Sequence, residues 1–74
     1  MKPREIYTLC LRLAREHGVK GHGQFAAGRR ILAERLQVAE RSIEHWAYGR
    51  RHPRGPSKLM LQNESRNYLN RKGR

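Results

Sequence analysis

Apolar residues near the start of the chain fall at Ile6, Leu9, Cys10, Leu13 and Ala14, the i, i+3, i+4, i+7, i+8 spacing that places them on one face of a helix. Pro3 suits the first turn, where a missing N–H is harmless, and Gly18 suits the end, so the pattern predicts a helix over about 3–17. Glycines at 18, 21 and 23 then break the periodicity and predict a loop. Such a run can also cradle phosphate, but no strand signal precedes it and no Gly-Lys-Ser/Thr follows. Phe25, Leu32 and Leu36, with Ile31 beside Leu32, supply the next apolar stripe. Gly28 interrupts it, so the pattern secures a second helix only over about 29–36.

After Gln37, Val38 and Ala39 a third pattern begins, in which Ile43, Trp46 and Ala47 share one face, predicting a helix over 40–48 ended by Gly49. Pro53, Gly55 and Pro56 forbid regular helix in the next segment, and its arginines Arg50, Arg51 and Arg54 meet no acid there, so it reads as an extended basic loop. Ser57 is placed to cap a last helix with Leu61, Tyr68 and Leu69 on one face and Leu59 and Met60 near its start. Tyr68 and Leu69 either complete the core or form a dimer seam. Residues 1–70 form one domain, and 71–74 read as a frayed basic tail. The predicted fold class is all-α, a small bundle of four to five helices.

Length and charge narrow what such a bundle does. A chain of 74 residues buries a modest core and has little room for a large active-site cavity. Seventeen Lys and Arg face six acids, all Glu, for a formal charge of +11, which calls for a polyanionic partner whose condensed counterions are released on binding. The single cysteine, Cys10, excludes an internal disulfide and suits a reducing compartment. No run approaches the ~18 apolar residues of a membrane span, and the N-terminus lacks the apolar stretch of a signal peptide, so a cytoplasmic protein without a membrane partner is expected. His17, His22, His45 and His52 with Cys10 show no C-x-x-C or H-x-x-x-H spacing, so no metal or other cofactor is predicted. A Glu–His pair without a pocket to exclude water makes an enzyme an unfavoured reading.

The segment richest in chemistry is the third helix. It follows the second after about three residues, both are short, and Ala33, Val38 and Ile43 stand where a steep crossing needs small or β-branched side chains, which is the grammar of a helix-turn-helix. Opposite its apolar stripe run Arg41, Glu44, His45 and Tyr48, all able to hydrogen-bond. Arg can take both acceptors of a guanine edge, Glu can accept from cytosine N4, and His can reach a purine N7 or a phosphate.

With Leu32-Ala33, Val38, the Ile43-x-x-Trp46 core and the Gly49-Arg50-Arg51-x-Pro53 exit in view, the stretch 32–53 resembles the helix-turn-helix of the phage Cro and repressor (XRE-like) family, also found in bacterial regulators and antitoxins. The resemblance covers under half the chain. It implies a lambda-repressor-like bundle acting as a sequence-specific double-stranded DNA-binding transcriptional regulator of the repressor type, as a homodimer on nucleoid DNA. Base contacts map onto Glu40, Arg41, Glu44 and His45. Phosphate contacts map onto Arg29, Arg30, Arg50, Arg51, Arg54 and Lys58, and Tyr48 at the end of the polar stripe joins them. Three positions depart from the family. Gln37 stands where Gly is preferred in the turn, and a non-Gly residue in a left-handed conformation costs about 1–2 kcal/mol. Ala39 replaces a capping Ser or Thr, a loss of about 1 kcal/mol, and Ala47 replaces a frequent Glu. Two other readings stand beside this one: an RNA-binding or ribosome-associated basic protein, which stacks exposed aromatics on unpaired bases, and an antitoxin with a protein partner and autoregulatory DNA binding.

Overall fold

A computed structural model describes residues 2–72, with side chains described through Asn67. The elements are α1 (Pro3–Glu16), α2 (Gln24–Leu36), α3 (Glu40–Ala47) and α4 (Pro56–Lys72), with no strand among the described residues. The chain is thus a small all-helical bundle, as its periodicities predict.

α1 opens with Pro3 in the first position, and the Glu5 carboxylate accepts the Lys2 backbone N–H at 2.9 Å, satisfying a donor the helix leaves over. At its end Gly18 takes φ +82°, so that its N–H reaches the Arg15 carbonyl (3.0 Å) and the Val19 N–H reaches that of Ala14 (2.9 Å). This is the Schellman closure, which needs a left-handed residue after the helix. α3 ends the same way, with Gly49 at φ +77° and the Arg50 N–H donating to the His45 carbonyl at 2.9 Å.

α2 begins at Gln24, earlier than the apolar pattern secures, and contains Gly28. The glycine is there for packing. α1 crosses α2 so closely that a β-carbon at Gly28 would overlap the backbone carbonyl of Cys10. α2 closes on the same Schellman bonds, Gln37 N–H to Glu34 O at 3.3 Å and Val38 N–H to Ala33 O at 3.0 Å, but here the left-handed residue is Gln37, at φ 54° and ψ 46°. The turn predicted to be strained by this residue does adopt the left-handed conformation.

α4 starts at Pro56, so Ser57 lies within its first turn instead of preceding it as a cap. Proline's fixed φ and missing N–H suit the first helical position, and this moves the start two residues before the one that a Ser57 cap implies. Leu61, fully buried, and an Arg35–Glu64 ion pair of 3.0 Å tie α4 to the rest, whereas Leu59 and Met60 remain exposed. The predicted tail begins inside this helix, since Arg71 and Lys72 are helical. Gly73, Arg74 and the side chains of Tyr68 and Leu69 lie outside what is described.

The core joins Ile6, Leu9, Cys10 and Leu13 of α1 to Leu32, Ala33 and Leu36 of α2, with Ile43, Trp46 and Ala47 of α3 and Leu61 of α4. Burial pushes the Cys10 thiol up to about 12 from 9.0, against a weaker downward pull from the Arg29 charge. No helix among the described residues is long and apolar enough to cross a membrane.

Candidate nucleic-acid interface

Eight residues are too few to sustain a helix alone in water, so α3 owes its existence and its orientation to what it packs against. Ile43 is fully buried, and Trp46 and Ala47 keep under a tenth of their surface. That fixes the opposite face outward. Ala39, extended at φ −70° and ψ 146°, precedes the helix without a side-chain cap, leaving Glu40 as the first-turn group that favours the N-terminal dipole.

The outward stripe is not uniform. Arg41 is open to solvent, as is Tyr48 just past the helix end, whereas Glu44 and His45 are half-buried. The Nδ1 atom of His45 is shielded and meets no hydrogen-bond partner, so Nε2 is the ring nitrogen left to meet a ligand.

Glu44 is half-buried because α2 reaches it. Arg29 lies across both acids of α3: its Nε donates to Glu40 Oε1 at 3.3 Å and its Nη1 to Glu44 Oε2 at 3.0 Å. The same guanidinium sits 5.7 Å from the centre of the Phe25 ring, within range of a cation–π attraction. Phe25 stacks on Tyr7 of α1 at 4.6 Å and 15°, and Tyr48 packs against Phe25 in a tilted arrangement at 5.7 Å and 34°. One flank of α3 is therefore held by an arginine and a ladder of three aromatic rings. Arg29, predicted as a phosphate contact, has its guanidinium engaged by the two predicted base-contacting acids.

On the other flank, α3, the loop after it and the start of α4 enclose a groove of about 640 Å³ lined by Ser42, His45, Arg50, Arg51, Arg54 and Ser57 among others, with no acid in its lining. Three arginines in one concavity concentrate positive potential, and their exposed position leaves the charge for an anionic ligand. Lys58 is exposed on α4, and Arg30 is exposed near Gln37 and Glu40 at the mouth of the α2–α3 turn. The sequence reading missed Ser42 and Ser57 as groove residues and Tyr7 and Phe25 as supports. The ring ladder has no periodic signature, because its members come from α1, α2 and the end of α3. No protein-family model matches the chain, and neither a curated protein nor a solved structure matches it.

Proposed function

We propose that this chain is a sequence-specific double-stranded DNA-binding transcriptional regulator of the repressor type, in which α2 and α3 act as a helix-turn-helix and α3 enters the major groove. The reading rests on one observation: α3 buries Ile43, Trp46 and Ala47 while Arg41 and Tyr48 face solvent, beside a groove whose charged lining is wholly cationic. A helix of this length is about 12 Å long at 1.5 Å per residue, and the major groove is about 12 Å wide. Arg41 meets base edges there, with guanine O6 and N7 as the matching pair of acceptors. Arg50, Arg51 and Arg54, with Lys58, meet phosphates on one side, and Arg30 and the Tyr48 hydroxyl meet them on the other. A single helix of this size covers only a few base pairs, so a homodimer on a two-fold site in cytoplasmic, nucleoid DNA is the working form.

Selection of bound duplexes from a random pool, followed by gel shifts against the recovered site, an unrelated duplex and a structured RNA, tests this. Arg41→Ala is expected to flatten the preference at one base pair by about 1–3 kcal/mol. Arg51→Ala is expected to weaken all duplexes alike and lower the salt slope by about one. Tighter binding to the RNA than to any duplex, or equal effects of both variants on specific and nonspecific DNA, refutes the proposal.

A further inference from the structure

The acids of α3 pose a physical problem for the proposed function, on which this inference rests. Two unpaired carboxylates one turn apart would repel each other and the phosphates of an approaching duplex. Arg29 offsets half of that charge, since one guanidinium bridges Glu40 and Glu44 from the side of α2. It is itself three-quarters buried and held against Phe25, which Tyr7 and Tyr48 support. We propose that Arg29 is a positioning residue for base recognition: it fixes the Glu44 carboxylate through Oε2 and leaves Oε1 as an acceptor directed at the bases, so that the DNA partner carries a cytosine at the position Glu44 meets.

The choice of cytosine follows from acceptor chemistry. An ionised carboxylate only accepts hydrogen bonds. In the major groove two bases offer an amino donor, adenine at N6 and cytosine at N4. Adenine's donor stands beside the N7 acceptor, whose lone pair repels a carboxylate, whereas cytosine presents N4–H₂ without that neighbour. Pairing with Arg29 lowers the cost of the approach near phosphates, and its hydrogen bond to Oε2, made by a guanidinium anchored at a second point on Glu40, restricts the rotamer freedom that would let Glu44 swing away. Two of its five N–H donors are engaged by Glu40 and Glu44 and three-quarters of its side chain is buried, so Arg29 is assigned the hold on these acids and no phosphate contact of its own.

The test compares the wild-type chain with Arg29→Met, Arg29→Lys and Glu44→Gln, all confirmed folded by helical circular dichroism. Each is titrated against the selected duplex and its single-base-pair variants across a salt series. Arg29→Met is expected to lower the preference for cytosine at one position about tenfold, with the slope of log affinity against log salt unchanged. Arg29→Lys, which restores charge without the two-point hold, is expected to recover affinity but not the preference. Glu44→Gln is expected to move the preference from cytosine to adenine, because an amide both donates to N7 and accepts from N6, and to make Arg29→Met silent at that position. A wild-type consensus without cytosine there overturns the proposal, as does a preference that survives Arg29→Met. A salt slope reduced by about 0.9, the contribution of one phosphate contact, with uniform loss across sequences, overturns it in favour of a backbone role. These outcomes leave the α3 reading intact, whereas a wild-type chain that selects no consensus at all defeats that reading and this inference together.

Discussion

Replacing Gly28 by alanine opposes two effects of known size. In the interior of α2, alanine is worth about 0.8–1.0 kcal/mol more than glycine by helix propensity, so an isolated reading of the helix predicts a stabilised protein. The packing predicts the reverse. The new methyl would overlap the carbonyl oxygen, carbonyl carbon and Cα of Cys10, and these are backbone atoms of a helix, which cannot rotate aside as a side chain does. Relief requires α1 to move off α2, and forcing one extra carbon into a packed core costs about 1–3 kcal/mol. Here the displaced unit is a whole helix, so the upper end of that range applies, and the net loss after the propensity gain is about 2 kcal/mol. A domain of this size holds roughly 4–11 kcal/mol in total at ~0.05–0.15 kcal/mol per residue, so the change is well within reach of urea unfolding. Ala26→Gly at an exposed position of the same helix calibrates propensity alone, with an expected loss of about 1 kcal/mol. Cys10 gives an independent readout, because its fully buried thiol reacts only when α1 and α2 part, and Gly28→Ala should accelerate that reaction. A Gly28→Ala protein as stable as the parent, with an equally protected thiol, would show that the α1–α2 approach described here is wrong.

Two further expectations concern stability. Gln37→Gly relieves a left-handed glutamine worth about 1–2 kcal/mol and adds unfolded-state freedom worth about 0.5–1 kcal/mol against folding, so it should stabilise by about 0.5–1 kcal/mol; Ala39→Ser, which supplies the missing cap on α3, should add about 1 kcal/mol, and urea midpoints that fail to rise refute the turn and cap geometry. The Cys10 thiol titrates at about 12 in the folded chain against 9.0 unperturbed, so the neutral form is favoured by folding: its contribution is fully present below pH 9 and is lost as pH climbs toward the folded value, at up to about 1.4 kcal/mol per pH unit. Cys10→Ala should flatten that alkaline decline relative to wild type in urea titrations, and parallel curves would show the thiol is not sealed.

The elements with clean periodicity were legible in the chain. α1 buries all five residues of its predicted stripe and ends at the predicted glycine, and α3 buries the predicted Ile43, Trp46 and Ala47. What the pattern left open had tertiary causes. Gly28 looks like a helix breaker in a one-dimensional reading and is a contact point in three dimensions. The position of Gln37 identified a left-handed turn, but nothing local could say whether the chain would accept the strain or bend otherwise. The candidate site was legible in its charges and not in its pairings. Arg29 is 11 and 15 residues from the acids it joins, and only the angle set by the turn brings them together. His45 belongs to the polar stripe by spacing, yet its Nδ1 is shielded from solvent, which depends on packing that the spacing does not report.

Taken together, the local terms around α3 oppose its formation. The helix has eight residues, lacks a side-chain cap and follows a strained turn, and the last two amount to about 1.5–2 kcal/mol relative to a capped helix after a glycine. It forms because Ile43 and Trp46 are buried and because Arg29 holds its N-terminal acids to α2. A helix stabilised in this way cannot choose its own orientation, since every favourable contact it makes is to the body of the protein. That is the physical condition for a reading element: the rigid scaffold, and not the helix, decides which side chains face outward. It also places the sensitive residues in the supports. Changes at Phe25, Arg29 or Gly28, none of them on the outward face of α3, should alter what that face presents as strongly as changes on the face itself.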